Sequence, residues 1–275
     1  MYMLDLRYLF QDREWKKTMP RQTAFSFLSG GKKLYGRCLL PGRDGEETPP
    51  TILMLHGFPG HEQNRDLAQA LRRAGFAVIL FSYRGNWGSG GTYCLSHLGE
   101  DAAAALAYVR SQAGAWGIDA RRVFTVGHSM GGFTTMQLLA AGECTHGSVL
   151  MAPCDMEAMY VHAPEDFDSL IQSASVYVRL DEEGTNRFAR VCEEHRRDWE
   201  FPQLAEKMDR RIPLLLVGAA NDTVTPPHFH IAPLREAVQG MGIEATSNEF
   251  DDIHTFDASR IRLTETVALW LREHL

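Results

Sequence analysis

A chain of 275 residues, 44% hydrophobic and 23% charged with a formal net charge of −7, has the composition of one large soluble globular domain with a full core. The negative balance disfavours binding along a phosphate backbone, so no nucleic-acid partner is expected, and no apolar run of about 18 residues is present to span a membrane. Cys38, Cys94, Cys144, Cys154 and Cys192 are odd in number, widely spaced and without a C-x-x-C pair, which excludes a disulfide framework or a zinc pattern and reads as reduced thiols.

The first twenty residues alternate apolar and charged side chains and lack the apolar core and small-residue cleavage site of a secretory signal. A cytoplasmic enzyme is the expectation. Thr23 to Ser29 alternates with period two, Gly30 and Gly31 make a tight turn, and Lys33 to Pro41 resumes as a strand, so the fold opens on a hairpin. After the polar loop Arg43 to Pro50, the fully apolar Ile52 to Leu55 reads as a buried parallel strand. It ends on His56-Gly57-Phe58-Pro59-Gly60. There the glycines allow the backbone to approach a substrate, and the amide of Phe58 is one candidate oxyanion donor. His56 itself reads as a structural histidine beneath that loop. Glu62 to Ala74 has helical spacing with Gly75 as its stop, and Ala77 to Tyr83 is the next strand. Tyr83 to Gly91 is glycine-rich, but it lacks the lysine and glycine register of a phosphate cradle and reads as a rim loop. Leu98 to Ala113 is an alanine-rich helix.

Arg122 to Gly142 then carries a strand, a sharp turn and a helix, with Gly127-His128-Ser129-Met130-Gly131 fitting G-x-S-x-G at the corner. A serine exposed on such a strained turn needs glycines two residues to either side, and the helix that follows aims free N–H groups above it. Ser129 is the candidate nucleophile and the Met130 amide the second oxyanion donor. Ser148 to Ala152 is another buried strand, after which the strand-helix rhythm stops. Cys154 to about Asp209 is mixed, mainly helical in pattern, and reads as an inserted cap whose apolar residues include Met156, Met159, Tyr160, Phe167, Ile171 and Trp199. Met156, Met159, Tyr160 and Trp199 are its candidate pocket walls.

Pro213 to Gly218 restores the sheet and Asn221-Asp222 follows it; Ile231 to Gly240 is a helix, Ala245 to Phe250 a strand, and Asp251-Asp252-Ile253-His254 a loop. Arg262 to His274 closes the chain as an amphipathic helix. A serine nucleophile requires a base to take its proton, and the base requires a third group to fix its tautomer. Ser129, Asp222 and His254 each follow a predicted strand, where the loops of a parallel sheet gather at one edge. Asp251 and Asp252 are nearer to His254 in sequence, but they belong to its own loop; Asp222 approaches from the side.

The motifs His56 to Gly60, Gly127 to Gly132, Asn221-Asp222 with Pro226, and His254 resemble those of the α/β-hydrolase superfamily, over roughly Thr23 to Leu275. Within it, Tyr83 to Gly88 and Trp116 to Gly132 look like bacterial esterases related to dienelactone hydrolases and to the catalytic domain of prolyl oligopeptidases. The resemblance implies a single α/β domain over 1–275 with a mostly parallel central sheet of about eight strands flanked by helices. It also implies no metal or organic cofactor. Dienelactone hydrolases proper carry cysteine where this chain has Ser129, haloalkane dehalogenases carry aspartate there, and the residues ahead of Thr51 leave no room for the propeller of a prolyl oligopeptidase. The expected function is a serine hydrolase, a carboxylesterase for small to medium acyl or aryl esters. A thioesterase, lactonase or small amidase remains open on the same residues, as does a non-enzymatic binding protein on a hydrolase scaffold. The expected partner is a small-molecule ester, and a homodimer is left open.

Overall fold

Eight strands form one sheet in the order β1-β2-β4-β3-β5-β6-β7-β8 in the computed structural model. It describes residues 4–275 except 164, 166–168, 170, 171, 173 and 174, and at 185, 186, 188 and 189 the backbone only. Phe167 and Ile171 therefore lie outside the described residues. β1 (Arg21–Ser29) and β2 (Lys32–Leu40) make the expected antiparallel hairpin, with Phe27 opposite Leu34. β2 pairs antiparallel with β4 (Ala77–Phe81), and every later pairing is parallel. β3 (Pro50–Leu55), β5 (Asp119–His128), β6 (Gly147–Met151) and β7 (Leu214–Ala219) occupy the middle. β3, β6 and β7 are buried throughout, which is why they are unbroken apolar runs and not alternating ones. β8 (Ala245–Phe250) has only one neighbouring strand and is largely solvent-facing, in keeping with Thr246, Ser247, Asn248 and Glu249.

Helices cover both faces. α2 (Leu95–Trp116) and α3 (Met130–Ala140) enclose one core with Leu53, Leu55, Leu106 and Phe133. α1 (Arg65–Ala74) and α9 (Arg260–Glu273) enclose the other with Ile52, Val126, Leu71 and Trp270. The expected helix from Glu62 starts only at Arg65, because Asn64 stands in left-handed backbone at φ 49°. The helix expected from Ile231 is preceded by a single turn, α7 (Pro227–His230), and begins as α8 (Ala232–Gly240). Between β6 and β7 the described helices are α4 (Met156–His162), α5 (Gly184–His195) and α6 (Phe201–Lys207). Phe201, Leu204 and Ala205 of α6 are buried against the α3 side of the sheet, so this segment is fastened to the domain. Among the described residues no helix is long and apolar enough to cross a membrane.

Candidate active site

The carboxyl ends of β3, β5, β6 and β7 converge on Ser129, the single residue between β5 and α3. Its backbone stands at φ 56°, ψ −120°, outside the regions an L-residue normally occupies, and neighbouring hydrogen bonds hold it there. The Ser129 N–H donates to Met151 O at 2.9 Å, while its carbonyl accepts from Gly132 N at 2.8 Å and Cys154 N at 3.0 Å. The flanking glycines leave room for the turn. A Cβ on Gly127 would overlap the Gly131 carbonyl, and one on Gly131 would overlap the Leu55 carbonyl. Met130 opens α3, where an amide has no acceptor within the helix. The loop after β3 passes directly against the serine: a Cβ on Gly57 would lie 3.0 Å from Ser129 Cβ and 3.5 Å from its Oγ. Phe58 follows at once, its ring packed 5.0 Å from that of Tyr93.

Asp222 and His254 meet across the gap between β7 and β8. His254 Nδ1 donates to Asp222 Oδ2 at 2.8 Å, which directs Nε2 away from the carboxylate. The carboxylate is fully buried and its other oxygen accepts from the amides of Val224 and Thr225, both at 2.8 Å. Burial works to raise the Asp222 carboxyl, but the hydrogen bond and charge of His254 and the donors of Thr225 outweigh it and hold it below the ordinary carboxylate range. The two nearer acids are engaged elsewhere. Asp251 accepts from Asn221 Nδ2 at 2.8 Å, and Asp252 accepts from the amides of Ile253 at 2.8 Å and Ala258 at 3.4 Å, bracing the loop's own backbone.

Two buried histidines, His128 and His230, border this pair, and a third, His56, lies under the loop after β3. His128 Nε2 donates to the His254 carbonyl at 3.0 Å, tying the residue before Ser129 to the histidine loop. Burial, with the nearby His254 second, lowers its pKa to about 3, so it stays neutral. His56 donates from Nδ1 to Gly57 O at 2.7 Å and lies beneath the loop as the sequence suggested; burial lowers it to about 4. His230 Nδ1 accepts from the Asp155 amide at 3.0 Å, and burial lowers it to about 4 as well. Asp155, pushed up to about 6 chiefly by burial, accepts from the amides of Glu157, Ala158 and Phe201, joining α4 to α6 just past β6.

Met156, Met159 and Trp199 are buried in the core cluster that contains Phe133, with the Trp199 ring 5.4 Å from that of Phe133 and 4.8 Å from His195. Their burial makes them the fastening between this segment and α3. Tyr160 is half-buried under the Arg196 guanidinium, 5.4 Å from its ring centre. Sequence reasoning placed Trp87 in the rim loop and Tyr177 in the cap but passed over His61, which packs against both. His61 and Tyr177 pack edge-on at 4.3 Å, and Trp87 lies 6.3 Å from Tyr177. Asn86 Nδ2 ties the rim loop to Pro59 O at 2.8 Å, and the Arg179 amide donates to Gly85 O at 2.7 Å, so three separate segments are clasped together. It also passed over Thr225, although its place three residues after Asp222 is the spacing at which an aspartate side chain caps a turn. Among the described residues no group of three His, Cys, Asp or Glu side chains is arranged to hold a metal ion.

The profile of the alpha/beta hydrolase family matches residues 52–246. The chain belongs to that family. Among solved structures this chain is similar to Est1E from Butyrivibrio proteoclasticus, with a TM-score of 0.66 and 20% identity over 91% of this chain and 98% of Est1E. It is similar to the acylaminoacyl peptidase of Pyrococcus horikoshii, with a TM-score of 0.69 and 17% identity over 94% of this chain and 41% of the peptidase. It is also similar to a puromycin-hydrolyzing peptidase of Mycobacterium tuberculosis, with a TM-score of 0.72 and 20% identity over 93% of this chain and 40% of that one. The chain thus spans about two fifths of the length of the two peptidases and nearly all of Est1E. At these identities the likeness is one of fold.

Proposed function

We propose that this hydrolase is a serine carboxylesterase that cleaves small to medium acyl or aryl esters through an acyl-enzyme intermediate. The observation that carries the reading is the His254–Asp222 pair, its Nδ1 fixed on a buried carboxylate, with the His254 carbonyl bonded to His128, the residue just before Ser129 in its strained turn. In the proposed reaction Ser129 Oγ attacks the ester carbonyl while His254 Nε2 takes its proton, and Asp222 stabilises the imidazolium. The amides of Phe58 and Met130 donate to the developing oxyanion, each contributing roughly 3 kcal/mol to the transition state. His254 returns the proton to the leaving alcohol, and a water then attacks the acyl-serine by the same route.

Met156, Met159, Tyr160 and Trp199 are proposed to bound the acyl pocket from the side of an inserted 154–209 cap. Met156 stands two residues beyond Cys154, whose amide is bonded to the Ser129 carbonyl. The partly exposed rings of Trp87 and Tyr177 beside the Phe58 loop favour an aryl group over a sugar or a charged one. A peptidase or amidase is the second reading, favoured by the two peptidases of similar fold. The experiment is covalent labelling with a fluorophosphonate, followed by kcat/KM on an ester and an amide of the same acyl group. Labelling that disappears in Ser129→Ala, with the ester preferred at least a hundredfold, supports the esterase. Comparable specificity constants for the amide would make it a peptidase, and wild-type protein that neither labels nor turns over would remove the enzymatic reading.

A further inference from the structure

The hydroxyl of Thr225 lies at the centre of the acid-base pair. It is 2.8 Å from Asp222 Oδ2, 3.1 Å from His254 Nδ1 and 3.1 Å from the Ala152 carbonyl, and the residue is only 1% exposed. A threonine hydroxyl has one proton to give. With His254 donating from Nδ1, that proton has two acceptors to choose from, and the two choices act on the histidine in opposite directions. Given to Ala152, it would leave the oxygen's lone pairs facing the imidazolium and stabilise it. Given to Asp222, it draws charge from the same carboxylate oxygen that holds His254 and weakens that hold. The shorter contact and the anionic acceptor both favour the second arrangement.

We infer that Thr225 is a positioning residue for the proposed triad: its hydroxyl donates to Asp222 Oδ2, fixes that oxygen opposite Nδ1, and moderates the basicity of His254. The Thr225 amide already holds the other carboxylate oxygen, so one residue sets both ends of the acid. The remaining polar neighbours are accounted for. His128 faces His254 from the end of β5, His230 from α7 interacts with both His254 and Asp222, and Asp252 is bonded to its own loop. Arg260, at the head of α9, reaches the adjacent Thr255 carbonyl at 3.1 Å. None of these touches Asp222 Oδ2 as Thr225 does.

This inference rests on the reading of Ser129, Asp222 and His254 as the catalytic set, so its test includes a readout that needs no turnover. Thr225→Val keeps the volume and removes the hydroxyl, while Thr225→Ser keeps the hydroxyl and trims a methyl. The expected result for Thr225→Val is kcat lower by about tenfold with KM little changed. The acid limb of the pH-rate profile should move upward by roughly half a unit, and the His254 imidazole resonance, titrated by NMR, should move with it. Thr225→Ser should restore all three, and urea unfolding separates any loss of fold. A His254 titration in Thr225→Val that stays in place or moves downward overturns the inference, as does a serine variant that fails to restore it. An upward NMR shift in a protein that hydrolyses no ester would leave the inference standing and sink the esterase reading instead.

Discussion

Asp222→Asn tests the proposed acid with a change of one atom. Asp222 Oδ1 accepts two backbone amides at 2.8 Å, so the asparagine carbonyl oxygen takes that position and the amide group turns toward His254 and Thr225. An N–H donor would then stand where Oδ2 now lies, 2.8 Å from His254 Nδ1. Nδ1 must become the acceptor, the proton moves to Nε2, and the nitrogen proposed to take the Ser129 proton can no longer act as base. The expected loss is about 10⁴-fold in kcat, or roughly 5.5 kcal/mol of transition-state stabilisation, with folding nearly unaffected because the turn's backbone bonds survive. The assay is kcat/KM on a short aryl ester, paired with the rate of fluorophosphonate labelling and the urea midpoint. A variant within tenfold of wild type refutes the reasoning, and Asp252→Asn losing turnover while Asp222→Asn keeps it would name a different acid.

Ser129→Gly should abolish hydrolysis yet stabilise the fold by about 1 kcal/mol, since glycine accepts the positive φ without strain; a lower urea midpoint than wild type contradicts this. Gly131→Ala should cost several kcal/mol or prevent folding, because its methyl has only the Leu55 backbone to displace; a soluble variant with a wild-type midpoint would remove the steric argument for that glycine. Stability should fall on acidification. His56, His128 and His230 are held neutral down to about 4, 3 and 4 respectively. In the unfolded chain they take up protons near pH ~6.5, so their contribution is complete above that pH and is lost as pH drops toward 4. Asp155, raised to about 6, acts in the opposite sense between about pH 4 and 6, one group against three. A urea midpoint at pH 5 equal to that at pH 7.5 would refute this balance. Met156→Ala, Met159→Ala and Trp199→Ala should each destabilise by roughly 2–5 kcal/mol, given their burial. Unchanged midpoints would refute the packing role, and altered ester selectivity alongside the destabilisation would support the proposed pocket.

The strands and the elbow were legible because their signals are local. Ile52 to Leu55 and Leu214 to Gly218 are apolar runs bounded by turn residues, and Gly127, Gly131 and Ser129 are required by the geometry of one corner. The order of Ser129, Asp222 and His254, each after a strand, followed from the same pattern. Helix ends were less legible. Asn64 takes a left-handed conformation and cuts α1 short, while α2 extends past both expected ends because Leu95 and Trp116 are buried in the core, overriding Gly114. Asp222 was assigned to His254 from its place after a strand, but only the tertiary structure shows the contact. Asp222 and His254 are 32 residues apart and adjoin because β7 and β8 pair in parallel, whereas Asp252, two residues away, is turned into its own loop. Thr225 and Arg260 also escaped the sequence, since each acts on the histidine loop through a hydrogen bond whose partner the chain order does not reveal. A sequence fixes residue types and local periodicity, but hydrogen-bond partners at a shared sheet edge are set by strand order and register, which depend on the packing of the whole domain.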